Sequence, residues 1–190
     1  MDKVLWPIRK QLESRLTDQD SLLGKKLLRK ANPTTLENDE TRLGFDLPPL
    51  LKQLYLEFGN GGFGPGYGLI GMTGGVPDDT GKTAPEIYLQ FRSAGKEEPG
   101  FCWPQSLLPI CHWGCAILSC IRCDEQDHPM YIFDPNAHAD ATSWNDAFFK
   151  EAPAFESWIT AWADDVDLWN KSYGQDGQVA KVLAARAQAA

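Results

Sequence analysis

Val4, Ile8, Leu12 and Leu16 recur four apart near the start of the chain, with Leu5 alongside. That spacing predicts a helical stripe, in which Pro7 is tolerable only within the first turn. Leu23, Leu27 and Ala31 predict a second short helix that stops before Asn32-Pro33. Thr34-Thr35-Leu36-Glu37 reads as a capping box opening a third helix, with Gly44 as its stop. The clearest helix follows Pro48 and Pro49, which suit a first turn with spare N–H groups. Leu51, Leu54, Tyr55 and Phe58 then fall at i, i+3, i+4 and i+7. Gly59-Asn60-Gly61-Gly62 ends this helix with residues that accept positive φ.

The pattern then changes. Tyr67–Met72 predicts a short strand, Val76–Thr83 an exposed acidic loop, and Ala84–Ala94 a helix with Ile87, Tyr88 and Phe91 inward. Lys96–Gly100 reads as a polar connector. Cys115–Cys123 and Met130–Asp134 predict two strands of a hairpin, joined by the polar segment Asp124–Pro129. Phe155, Trp158, Ile159, Trp162, Val166 and Trp169 form one long helical stripe, with Asp164, Asp165 and Asp167 mostly off it. Gly174–Gly177 breaks it, and Gln178–Ala190 is an Ala-rich tail, a weakly docked helix or a frayed end. Helices, then clustered strands with short links, then helices predict an α+β fold. Its sheet is mostly antiparallel and flanked by N-terminal and C-terminal helices.

Charge narrows the partners. The 190 residues carry 18 Lys and Arg against 26 Asp and Glu, a formal net charge of −8. Phosphate affinity comes mostly from basic side chains, so this balance argues against nucleic acid and against an anionic membrane surface. No run reaches the ~18 apolar residues of a transmembrane helix. Residues 1–16 are charged throughout and lack a signal-peptide core, so the expected location is cytoplasmic. Five cysteines in such a chain are most simply reduced thiols.

Four constellations invite chemistry; three fail on spacing or geometry, and the fourth lacks a local signature. Cys111, Cys115, Cys120 and Cys123, with His112 beside them, suggest zinc. If Cys115–Cys123 is one strand, however, its end thiols lie roughly 26 Å apart at ~3.3 Å per residue, and Cys120 and Cys123 point to opposite faces. The cysteines then alternate with Ile117, Leu118 and Ile121 as small buried residues. Gly81-Lys82-Thr83 ends like a phosphate loop, but Val76 stands where its first glycine belongs, and Asp78 and Asp79 would repel phosphate. The glycine-rich run Gly62–Gly68 is not GxGxxG either, and Pro65 removes an N–H. Asp134, Asn136, His138 and Asp140 alternate like a calcium loop, with Ala139 and Asn145 at the positions that need Gly and Glu. For Cys–His catalysis, His112, His128 and His138 are available without a local nucleophile signature. The expectation is therefore no catalytic residue, no metal and no cofactor.

One combination is distinctive. Leu47-Pro48 opens a helix that ends Tyr55-Leu56-Glu57-Phe58-Gly59-Asn60-Gly61-Gly62, followed by a glycine-rich run to Leu69-Ile70-Gly71. Leu107-Leu108-Pro109-Ile110, Trp113-Gly114, an acidic hairpin, Tyr131-Ile132-Phe133-Asp134 and Phe155-Glu156-Ser157-Trp158-Ile159 come next, in that order. Over about residues 34–165 the chain resembles the SUKH superfamily, named partly for a fungal cell-wall-assembly regulator. The resemblance implies one domain over residues 1–175, with an N-terminal helical extension at 1–33 and a tail at 176–190. It implies an antiparallel sheet flanked by helices and a non-enzymatic role. Bacterial members are commonly immunity proteins that bind and neutralise a toxin, often a nuclease, while others are interaction hubs. Leu47, Pro48, Gly59–Gly62 and Trp158 carry over as fold determinants.

An acidic inhibitor would steer onto a basic toxin surface. The candidate contact residues are Asp78 and Asp79, then Asp124, Glu125 and Asp127, and also Glu97 and Glu98. The alternatives are a regulatory scaffold of the same fold, or a metal-binding or enzymatic module built on Cys111–Cys123 and His112.

Overall fold

Helix α1 of the computed structural model, which describes residues 2–17, 29–95, 100–139 and 143–189, spans Asp2–Thr17 and buries Leu5, Ile8 and Leu12. Pro7 is its sixth residue, past the first turn, so the helix forgoes the hydrogen bond to the Lys3 carbonyl. The helix expected at Leu23–Ala31 lies largely outside the described residues. Helix α2 (Pro33–Leu43) starts earlier than the Thr34 capping box would have it. Asn32 is the N-cap, its side chain accepting the Thr34 N–H at 2.9 Å, and Gly44 ends the helix at φ 80°. Helix α3 (Pro49–Glu57) buries Leu51, Leu54 and Tyr55 as its spacing predicts.

After α3 the backbone doubles back on itself. Asn60 is buried, and its side chain donates to the carbonyls of Met72 and Thr73 and accepts the Met72 N–H at 2.8 Å. Its main chain donates to Arg29 and accepts from Val76. Gly61 sits at φ +85°, where a Cβ would lie 2.6 Å from the Gly71 nitrogen. The Gly71 carbonyl in turn accepts the Ala84 N–H that opens helix α4 (Ala84–Ala94). Thr83 caps α4 with Glu86, whose carboxyl is held below its ordinary range by the Thr83 N–H and hydroxyl.

Residues 67–72 do not form the expected strand. One bridge, Leu69 to Cys111, joins them to the sheet edge. The N–H groups of Gly68 and Leu69 turn back to Pro65 and Phe63, leaving Tyr67 and Ile70 to reach the edge.

The sheet is an antiparallel meander in the order β1 (Leu107–Gly114), β2 (Ile117–Arg122), β3 (Met130–Phe133) and β4 (Phe148–Ala152). Strand β2 is shorter than expected, because Cys115 and Ala116 form the β1–β2 turn at φ 51° and 61°. The C-terminal stripe also divides. Helix α5 (Phe155–Ala163) buries Trp158, Ile159 and Trp162, and Asp165 at φ 58° then turns the chain into α6 (Leu168–Tyr173). Val166 and Trp169 are thereby left at the surface, 44% and 37% exposed. Gln11 of α1 donates to the Asp165 carboxylate and fixes that turn.

The Ala-rich tail is a docked helix, α7 (Gln178–Ala189). It packs Val179 on Ile117, Ile132 and Phe149, and Gln178 donates to the carbonyls of Lys150 and Glu151. Beneath α5, Glu151 is buried. Trp158 donates to it at 2.8 Å, which does not offset burial, and its carboxyl is pushed up to about 7.

Three variants test these positions. Gly61→Ala costs at least ~2 kcal/mol, from positive φ plus backbone collision, and lowers the midpoint of thermal unfolding by roughly 4–8 °C. Asn60→Ala costs a similar ~2–3 kcal/mol, because the Met72 N–H is left buried and unpaired. Calorimetry of both variants checks this. For Glu151 the folded value lies above the unfolded 4.5, so the folded state holds the extra proton between the two. Stability therefore falls as pH rises from 4.5 to about 7 and levels beyond. Glu151→Gln removes that loss. Its urea unfolding at pH 8 is expected to be ~3 kcal/mol more favourable to the fold than that of the parent, with little difference at pH 4.5.

Candidate interaction surface

Strand β2 has a concavity near each end, and each holds some of the predicted acidic residues. At the start of β2 the loop 76–83 is shaped from within by Asp78. Its carboxylate accepts the N–H groups of Thr80 and Lys82, both at 2.9 Å, and the Thr80 hydroxyl at 2.8 Å. Asp78 is thus a turn-forming residue, as short acidic side chains often are. Asp79 is different. Its side chain is 61% exposed, and it lies 3.8 Å from His112 Nδ1, too far for a hydrogen bond.

Between loop 76–83, α4 and the β1–β2 turn lies a cleft of about 190 Å³. Ile87, Phe91 and Leu118 give it apolar walls, and Asp79, Lys82 and His112 give it a polar lining. His112 is only 9% exposed, and its Nδ1 has no hydrogen-bond partner. Tyr67 stacks on the imidazole with ring centres 4.9 Å apart, yet is itself 68% exposed. The Tyr67 N–H donates to the His112 carbonyl at 3.2 Å. Gly66 permits the approach, since a Cβ there would meet that same carbonyl oxygen at 2.7 Å.

Past the other end of β2, Arg122 lies 3.0 Å from Glu125 and 3.7 Å from Asp124, and also donates to the Gln105 carbonyl. These two acids therefore share one guanidinium instead of presenting bare charge. Asp127 and His128 pin the β2–β3 turn to α5, their carbonyls accepting the Phe155 N–H at 3.2 and 2.9 Å. Here opens a trough of about 1100 Å³ between α1, α3, α5 and the turn. Among the described residues, Asp127, Glu156 and Asp164 line it together with Lys3, over an apolar floor that includes Val4, Leu50 and Phe155.

The structure thus divides the predicted acids instead of gathering them. Asp79 belongs to the cleft and Asp127 to the trough, Asp78 shapes a turn, and Asp124 and Glu125 share Arg122. Glu97 and Glu98 lie outside the described residues. Sequence reasoning missed Tyr67 and the trough acids Glu156 and Asp164, and it weighed His112 only beside the cysteines, for zinc or for Cys–His catalysis. The available signal was an aromatic residue set between Gly66 and Gly68, where nothing would cover it.

The cysteines take separate places. Cys111, Cys120 and Cys123 are buried, and burial pushes each thiol well up. Cys115 is exposed on the β1–β2 turn, and Cys102 is exposed ahead of β1. Among the described residues, no group of three or more His, Cys, Asp or Glu is placed to hold a metal ion. In the native protein, Ellman's reagent is expected to modify two of the five thiols quickly, Cys102 and Cys115, and the other three only on unfolding. Protection of Cys115 in the native state, relieved by a chelator, would restore the zinc reading.

Compared with known families, residues 30–161 match the model of the SMI1 / KNR4 family (SUKH-1). No curated protein matches the chain at a significant level.

Proposed function

The chain belongs to the SMI1 / KNR4 family (SUKH-1), and from that membership we propose that it is an immunity-type protein that neutralises a basic, nuclease-type toxin domain by occlusion. The family supports a protein-interaction domain, immunity-type or regulatory, and the toxin reading goes one step further. The trough carries that step. Among the described residues this concavity of about 1100 Å³ carries three carboxylates and one lysine, a lining that suits a basic, convex protein segment. The net charge of −8 adds long-range attraction for such a partner. Occlusion asks nothing of a catalytic group, and this reading assigns none. Among the described residues no helix is long and apolar enough to cross a membrane, and the proposed site of action is the cytoplasm.

The test is affinity capture from the native host at low and moderate salt, followed by binding kinetics with the captured protein. The expected partner is one basic polypeptide at near 1:1 stoichiometry, depleted as salt rises. Asp127→Lys with Glu156→Lys is expected to slow association about tenfold at low salt and to flatten its salt dependence, with a smaller effect on dissociation. An unchanged association rate would remove the trough as the steering surface. Capture of several unrelated proteins would favour a regulatory scaffold.

A further inference from the structure

We propose that the cleft between loop 76–83, α4 and the β1–β2 turn receives a single arginine side chain of a protein partner. The inference rests on reading the chain as a protein-binding module, and not on the partner being a toxin. At about 190 Å³ the cleft is smaller than the roughly 300–1,000 Å³ that encloses a drug-sized ligand, so its scale is that of one side chain. Ile87, Phe91 and Leu118 suit the methylene stem of a long side chain.

The polar lining suits a flat cation. Asp79 and His112 Nδ1 stand 3.8 Å apart without bonding, and His112 is buried with that nitrogen unpartnered. A guanidinium entering between them donates one N–H to the carboxylate and another to the ring nitrogen, relieving the cost of an unmet buried polar atom. Tyr67 lies flat on His112 and covers one face of the imidazole, so that its Nδ1 is offered edge-on at the rim of the cleft. An exposed tyrosine beside a small pocket is also the arrangement from which interface hot spots are built. Lys82 offsets one carboxylate of the lining, but its ammonium is directed to the Thr80 hydroxyl at 3.4 Å, and Asp78 is spent on the turn. A lysine guest would bring a point charge without the planar fork of donors that meets the carboxylate and the ring nitrogen together.

The experiment titrates the full chain, observed by ¹H–¹⁵N NMR, with N-acetyl-arginine methylamide and with its lysine and norleucine counterparts. The arginine probe is expected to shift the amides of Tyr67, Asp79, His112 and Gly114 and to saturate with a Kd on the order of 1–10 mM. The lysine probe is expected to bind about threefold or more weaker, and norleucine not to saturate. Asp79→Asn and Tyr67→Ala change surface side chains, and each is expected to weaken the arginine probe about threefold or more, whereas Asp124→Asn leaves it unchanged. No saturable shift at these amides overturns the inference, with Asp79 and His112 then simply closing on each other. Equal binding of lysine overturns the choice of arginine. If the probe fails but a partner is captured whose affinity survives Asp79→Asn and Tyr67→Ala, the cleft inference falls alone. If the probe binds as expected but the captured partner is not a basic toxin domain, the cleft inference stands and the toxin reading falls.

Discussion

The backbone approach between Asn60–Gly62 and Leu69–Val76 is the constraint on which the rest hangs. Two chain segments lie so close that neither Gly61 nor Gly71 has room for a Cβ, and Asn60 fills the remaining polar space with three hydrogen bonds. From this junction the main chain ties residue 29, the start of α4 through the Gly71 carbonyl, and the sheet edge through Ile70 and Ile110. The Phe-Gly-Asn-Gly-Gly signature is thus explained by packing. It names the residue types that let backbone touch backbone and still satisfy its polar groups.

The same junction frames the cleft. Loop 76–83 begins at Val76, whose N–H is held by the Asn60 carbonyl, and ends at Thr83, which caps α4. Between these fixed ends Asp78 closes the turn, so Asp79 has little choice of position. Tyr67 is set on the other side by Gly66 and by its own N–H on β1. A fold determinant and a binding feature therefore share one stretch of chain, and a family motif can be structural in its own atoms while placing the residues that do the recognising.

How much of this was legible depends on the kind of signal. Helices α3 and α4 announce themselves by 3.6-residue spacing with proline or a cap at the start, and both lie where the spacing puts them. Strand β1 was missed because Leu107–His112 is buried throughout, so no period-2 alternation marks it, and Pro109 argues against a strand although it sits at an edge-strand irregularity. Strand β4 gave no strand signal because Lys150 and Glu151 stand side by side within it, although Glu151 is buried. The break between α5 and α6 falls at Asp165, an aspartate in the left-handed region where a glycine would have given notice. Candidate acids could be found from charge alone, but not sorted. Whether a carboxylate is bare, shares an arginine or caps its own loop is decided by neighbours within 3–4 Å, which for Asp124 and Glu125 is Arg122 and for Asp78 is Thr80 and Lys82.

That sorting changes what the net charge can do. The cleft and the trough share no lining residue, one being built by loop 76–83, α4 and the β1–β2 turn and the other by α1, α3, α5 and the β2–β3 turn. An approaching cation meets two local patches, each with its own lining, and changes at one are expected to add to changes at the other without strong coupling. The trough, broad and open, suits capture, since three carboxylates over a wide surface attract without demanding one pose. The cleft, small and lined by Asp79 and His112, suits discrimination, since two fixed acceptors over apolar walls favour a guest of one shape. Attraction and selection are thereby separable on this surface, and a partner's arginine content matters to one while its overall charge matters to the other.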